Sequence, residues 1–286
     1  MSLALSTAGA VVRQDSNPYE SDQDSLTFMH DLLSPFGVDI DEAFLEKARN
    51  IGFLELTEEL LAATPIPGPE LLILAYGIPD NGPLRTVSAY LNYLLGGQSR
   101  SFAISDQGLC SPFTALRIAG AYARTGRCAT LALFVCEQTS RPYPDAFIDE
   151  NVLADSAALL YFDGQGLLEF SRIGPAVPDE GLDALLDDMT AGLDPARTLL
   201  VAGPRIDPGR LARTGLPVHR GDTGTYCTTV WLDLARHHQE WAASYQAVVL
   251  CDTDPRTGLA QAAVMRVSDP GPAAHSGPLG GNHHDE

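Results

Sequence analysis

Between residues 70 and 137 five segments alternate in kind, and this alternation restricts the fold more than any other feature of the chain. "ELLILAY" (70–76), "SFAIS" (101–105) and "ATLALFVCE" (129–137) are short, almost continuously apolar runs. "LRTVSAYLNYLLG" (84–96) and "PFTALRIAGAYARTG" (112–126), which separate them, carry apolar residues at helical spacing. A strand apolar on both faces is covered on both, so such strands interleaved with helices point to a mostly parallel sheet between helical layers. The rhythm resumes after a Pro- and charge-rich loop (138–153) and the pair "AALLYF" and "LLEFSRI" around "DGQG". A helix at 181–193, a strand at 198–203, a helix at 224–238, and the strands "YQAVVLCD" and "LAQAAVMRV" follow.

The chain therefore divides into two α/β halves, 1–165 and 166–268, the second shortened, with no residue-level repeat between them. The first half opens on an apolar run at 3–12 and a polar loop, "RQDSNPYESDQDS". A helical stripe follows, formed by Phe44, Ala48, Ile51, Leu54, Leu56, Leu60 and Leu61 and ended by "TPIPGP". Residues 269–286, Pro-, Gly- and polar-rich without periodicity, read as a disordered tail. The three histidines of that tail have no shell to orient them on a metal, and no metal site is expected.

Charge removes whole classes of function. Thirty-seven carboxylates against 18 basic residues give −19, which repels nucleic acid and anionic lipid. No apolar run reaches membrane-spanning length and no basic segment precedes the first apolar residues, so a soluble cytoplasmic protein is expected. Lys47 is the only lysine and lies on a charged helix face. The five cysteines, Cys110, Cys128, Cys136, Cys227 and Cys251, include no CxxC pair, which fits neither a zinc site nor a complete disulfide framework.

One of them stands at a chemically special place. In "SDQGLCSPFTALRIAGAY" (105–122) Cys110 enters a helix, where unpaired N–H groups and the positive end of the dipole favour a thiolate. Gly108 lets a substrate approach the backbone, and Pro112 suits the first helical turn. The same position equally suits a buried cysteine that only packs.

Order and spacing over residues 70–163, including the Pro-Asp turn after the first strand, Cys110 opening a central helix and "ADSAA" (154–158) opening the next strand, resemble the thiolase-like condensing enzymes. Within them the chain looks in particular like the β-ketoacyl-acyl-carrier-protein synthase III branch. The resemblance implies a thiolase-like layered sandwich of two related α/β halves with mixed, mostly parallel sheets, paired as a dimer through "SFAIS". It also implies that Cys110 accepts an acyl group from a coenzyme A or phosphopantetheine thioester, with no tightly bound cofactor.

The chain departs from that family where an enolate is stabilised. "AGPRID" puts Pro204 or Arg205 at the family's histidine position, and "GDTG" puts Asp222 at its asparagine position. A carboxylate about 4 Å from an enolate opposes it by roughly 4 kcal/mol at an effective dielectric near 20, about a thousandfold in rate. The family's glycine-rich closing turn corresponds only loosely to "CDTDPRTG".

Two further groups are candidates beside Cys110. His219 and Asp222, close together in "HRGDTG", would complete an acyl-transfer triad, unless His219 points away and Asp222 caps the following helix; Asp207 is a third nearby base. His30, His237 and His238 read as structural. Arg205, Arg210, Arg213 and Arg220 crowd a short segment and would receive a phosphate of coenzyme A or of a carrier-protein arm, or else are scattered surface charges.

Two functions are consistent with these residues. One is an acyltransferase of specialised metabolism that passes an acyl group from Cys110 to an oxygen or nitrogen nucleophile, with acyl carrier protein or a coenzyme A thioester as donor. The other is a non-catalytic subunit that forms a heterodimer with a ketosynthase.

Overall fold

The structure, a computed structural model, describes residues 3–82 and 84–268; the tail expected at 269–286 and its histidines lie outside them. In the first half β1 (Ala4–Arg13) leads to helices α1 (Gln23–Leu33), α2 (Glu42–Lys47) and α3 (Phe53–Ala63). Then come β2 (Leu71–Tyr76), α4 (Val87–Leu94), β3 (Arg100–Ile104), α5 (Ser111–Arg124), β4 (Leu131–Glu137), α6 (Ala146–Asn151) and β5 (Asp155–Asp163). The second half holds β6 (Leu168–Ile173), β7 (Val177–Pro178), α7 (Leu182–Thr190), β8 (Thr198–Ala202), α8 (Pro208–Arg213) and β9 (Val218–Arg220). It closes with α9 (Thr229–Ser244), β10 (Ala247–Thr253) and β11 (Leu259–Val267).

The strands repeat one pattern. In the run β3-β2-β4-β5-β1, the first three are parallel and β5 and β1 follow antiparallel. The run β9-β8-β10-β11-β6 has the same order and the same directions. The two meet where β1 pairs with β6 through Ala4–Glu169 and Leu5–Leu168.

Two helices fill the space between the runs. α5 touches β2, β3 and β4 on one side and β6 and β11 on the other, and α9 likewise touches β1 and β5 and then β8 and β10. α3 and α4 cover the outer face of the first half and α7 that of the second. This layering explains the continuous apolarity of the strands. In β4, Leu131, Leu133 and Val135 join the core around α5 and α9, whereas Ala132, Phe134 and Cys136 join the core under α3. Alternate residues from Leu131 to Cys136 face opposite helical layers, and the first polar side chain of the strand is Glu137 at its end.

Three local readings change. The helical stripe over 44–61 is broken at Asn50, whose φ is 55° and whose amide donates to the carbonyls of Leu45 and Ala48; α3 restarts where Phe53 N–H donates to Asp80. The polar loop after β1 ends earlier than expected, because Asp22 accepts the Asp24 N–H and caps α1. The link before residue 224 contains α8 and β9, and the last helix starts at Thr229 rather than 224.

The edge contact of Phe113 on α5 with Trp231 on α9, ring centroids 4.9 Å apart, joins the two middle helices, and both rings are about 1% exposed. Phe113→Ala is expected to lower the unfolding free energy by about 3–5 kcal/mol. A denaturant midpoint that does not move would show that the two helices do not share a core.

Candidate functional site

The turn before α5 is strained. Asp106 (φ 61°) and Gly108 (φ 50°) are both left-handed, and the Gly108–Cys110 turn delivers Cys110 to the head of α5. Gly108 is required for space as well, since a Cβ there would collide with the Asp254 carboxylate and lie 2.7 Å from the Tyr226 hydroxyl.

Those two side chains close the site. Tyr226, in the turn before α9, donates its hydroxyl to Asp254 at 2.9 Å, and Asp254, just past β10, accepts the Leu109 N–H at 3.2 Å. The N–H of Cys110 itself is held by the Gln107 carbonyl at 2.9 Å. Cys227 follows Tyr226 and its thiol points to the Gly108 carbonyl, 3.7 Å away. Phe147 of α6 packs edge-on against Tyr226 at 5.0 Å, and Arg205 lies over the Phe147 ring.

Cys110 is 4% exposed, and its electrostatic surroundings are hostile to a thiolate. Burial pushes its pKa up to about 11, Asp254 and Asp252 push the same way, and only Arg117 opposes them. At neutral pH the protonated thiol therefore dominates. Burial also pushes Asp252 up to about 7, although Arg205 favours its charged form. Glu137, at the end of β4, is pushed up to about 7 by burial against the pull of the Tyr226, Cys227 and Thr228 N–H groups that it accepts.

The expected partners lie elsewhere. Among the described contacts none joins His219 or Asp222 to Cys110. His219 reaches Asp233 of α9 at 3.1 Å and packs on Trp241, and Asp222 is exposed in the turn after β9. Asp222 does not cap α9 either, because the N-cap is Thr228. Asp207 caps α8 by accepting the Arg210 N–H.

Of the four arginines, only Arg205 reaches the centre. Arg210 pairs with Asp179 and Asp183, Arg213 with Asp183, and Arg220 donates to the carbonyls of Pro204 and Ile206. His30 is exposed beside Asp31, His237 is beside Glu240, and His238 is buried with Nδ1 at the Ala235 carbonyl.

Glu137, Tyr226, Asp252 and Asp254 did not emerge from the sequence as site residues. Asp252 and Asp254 stand in "CDTDPRTG" at the close of an apolar strand, and Glu137 is the lone acid ending another, a pattern that marks a buried carboxylate. Tyr226 gives no such signal.

No protein-family model and no curated protein sequence matches the chain. Solved structures do. ChlB3, an acyltransferase, superposes with a TM-score of 0.62 at 13% identity, covering 93% of this chain and 98% of its own. OleA from Xanthomonas campestris, in a variant form with one residue replaced, gives 0.61 at 9% identity over 93% and 98%. The β-ketoacyl-acyl-carrier-protein synthase III of Thermus thermophilus gives 0.60 at 16% identity over 93% and 99%. The chain has the thiolase-like fold of these proteins. Among its described residues no helix is long and apolar enough to cross a membrane.

Removing the Asp254 charge should loosen the hold on the thiol. In Asp254→Asn, alkylation of Cys110, followed by peptide mass across pH 7–10, is expected to begin at lower pH and run at least severalfold faster than in the parent. Identical profiles would show that Asp254 does not govern the thiol. Asp252 makes a second test. A carboxyl raised above its unfolded value leaves the folded state binding more protons, so its contribution to stability is complete at low pH and is lost as pH rises from about 4 to 7. Asp252→Asn is expected to narrow the gap in melting temperature between pH 5 and pH 8.

Proposed function

We propose that this chain is a thiolase-fold, acyl-handling protein of biosynthetic metabolism that acts as the non-acylated subunit beside a ketosynthase. The observation that carries this reading is the use of both N–H groups nearest the thiol. An acyl-accepting cysteine needs donors aimed at the developing oxyanion, and those of Leu109 and Cys110 are bound by Asp254 and by the Gln107 carbonyl. A negative oxygen at this point would also face the carboxylate of Asp254, at the same scale of roughly 4 kcal/mol for 4 Å and an effective dielectric near 20. His219 is engaged with Asp233 and Asp222 is exposed, and among the described residues no histidine makes a hydrogen bond to Cys110. Pairing through β3 is consistent with this role, since β3 ends one run and hydrogen-bonds to β2 alone.

One observation favours the other reading, acyl transfer through Cys110. Left-handed conformations at Asp106 and Gly108 place a cysteine at a strained strand-to-helix turn, the setting typical of a nucleophile. Acyl carrier protein or a coenzyme A thioester would then be the donor, with Arg205 as the one sequence-predicted arginine that acts on the buried acids of the centre.

Intact-mass measurement after incubation with coenzyme A and carrier-protein thioesters of several chain lengths separates the two. No adduct on Cys110 is expected, and a co-expressed ketosynthase should keep its activity when Cys110→Ala replaces the parent subunit. An acyl mass increment that disappears in Cys110→Ala would overturn the proposal in favour of acyl transfer.

A further inference from the structure

A groove of about 610 Å3 lies between α5 and β6, with none of Cys110, Tyr226 or Asp254 in its walls. On the helix side Leu116 and the small residues Ala119, Gly120 and Ala123 line it, and Phe170 lines it from β6. The rim inverts the charge of the molecule. Arg117, Arg124 and Arg172 line the groove against one carboxylate, Glu169, in a chain of net charge −19.

The three arginines are not equally committed. Arg117 donates one nitrogen to the Gly174 carbonyl at 2.6 Å, and Arg172 is paired with Asp188. Arg124 makes no hydrogen bond among the described contacts and reaches back along the helix, so that its Nη1 would lie 3.2 Å from a Cβ on Gly120. The Arg124 guanidinium thus lies beside Gly120, and Arg117 stands three residues before that glycine on α5. That pairing fits a ligand with an anionic head and a hydrocarbon body, because the head gains charge-assisted hydrogen bonds while the body covers apolar surface.

We propose that this groove binds an amphipathic anion, a medium-length alkyl chain bearing a carboxylate or phosphate, with the head at Arg124 and Arg117 and the chain along Ala119, Gly120, Ala123 and Phe170. The site is separate from the closed thiol, and its occupation does not depend on whether Cys110 is ever acylated.

Gly120 supplies a clean block. A Cβ there comes within 4 Å of the far end of Arg124 alone, and replacing a mid-helix glycine favours the helix, so Gly120→Leu is expected to fill the groove in a folded protein. Titration calorimetry of the full chain with decanoate and with decyl phosphate, below their micellar concentrations, is expected to show saturable one-to-one binding. Decyltrimethylammonium should show none. Gly120→Leu should abolish binding with an unchanged or higher melting temperature, and Arg124→Glu should weaken it at least tenfold. The stronger of the carboxylate and phosphate arms identifies the head group. Binding that survives Gly120→Leu, or equal binding of the cationic probe, would overturn the proposal. So would a dimer in sedimentation that Arg124→Glu dissociates, since the groove would then be an interface between two copies.

Discussion

Two buried carboxylates, each reaching across from its own half to the head of the other half's middle helix, hold this molecule together. Glu137, at the end of β4, accepts the N–H groups of Tyr226, Cys227 and Thr228 where α9 begins. Asp254, just past β10, accepts the Leu109 N–H where α5 begins. β4 and β10 hold equivalent places in the two runs of strands, so the exchange is nearly reciprocal. The head of a helix leaves several N–H groups without partners, and a helix buried between two sheets cannot turn to water for them. Carboxylates from the opposite half answer that need and also fix how the halves sit against each other.

That solution competes with catalysis for the same donors. The N–H groups that stabilise a thiolate or an oxyanion at the head of α5 are the ones that a structural anion satisfies, and Asp254 is already there. Tyr226 adds its hydroxyl to Asp254 beside Gly108 and lays its ring against Gly77. Cys110 thus stands at a strained turn whose surrounding burial and carboxylates disfavour a thiolate. The carboxylate that opposes a negative oxygen is thus Asp254, whereas the sequence pointed to Asp222, which the structure places in an exposed turn.

Much of the fold was legible because burial on both faces of a strand leaves a direct mark, as in "ATLALFVCE", where alternate residues enter two different cores. The same logic located Cys110 at the head of a helix. It failed where the deciding partner is distant in sequence. The start of α9 was placed five residues early because the N–H groups of Tyr226 to Thr228 bind Glu137, about ninety residues away, instead of continuing a helix. His219 and Asp222 looked like partners because they are three apart, but His219 sits on β9, where side chains alternate, and it turns to Asp233. Arg210 and Arg213 looked like a phosphate cluster because the acids that neutralise them, Asp179 and Asp183, lie about thirty residues upstream.

The closed centre also explains how a strongly acidic chain tolerates acids in its core. Glu137, Asp252 and Asp254 are all buried, and the cation that favours the charged forms of the first two, Arg205, is itself partly drawn off to Thr225, Asn151 and the Phe147 ring. Full charge on all three would be costly chiefly through lost hydration, and Asp252 is also repelled by Asp254. Burial therefore raises Glu137 and Asp252 to about 7, where a proton is held for much of the time at neutral pH. Burial is also the first cause that raises the Cys110 thiol to about 11, with Asp254 and Asp252 adding to it. Desolvation thus acts on the acids and on the thiol alike, and making Cys110 a better nucleophile would require opening it to solvent as well as moving Asp254.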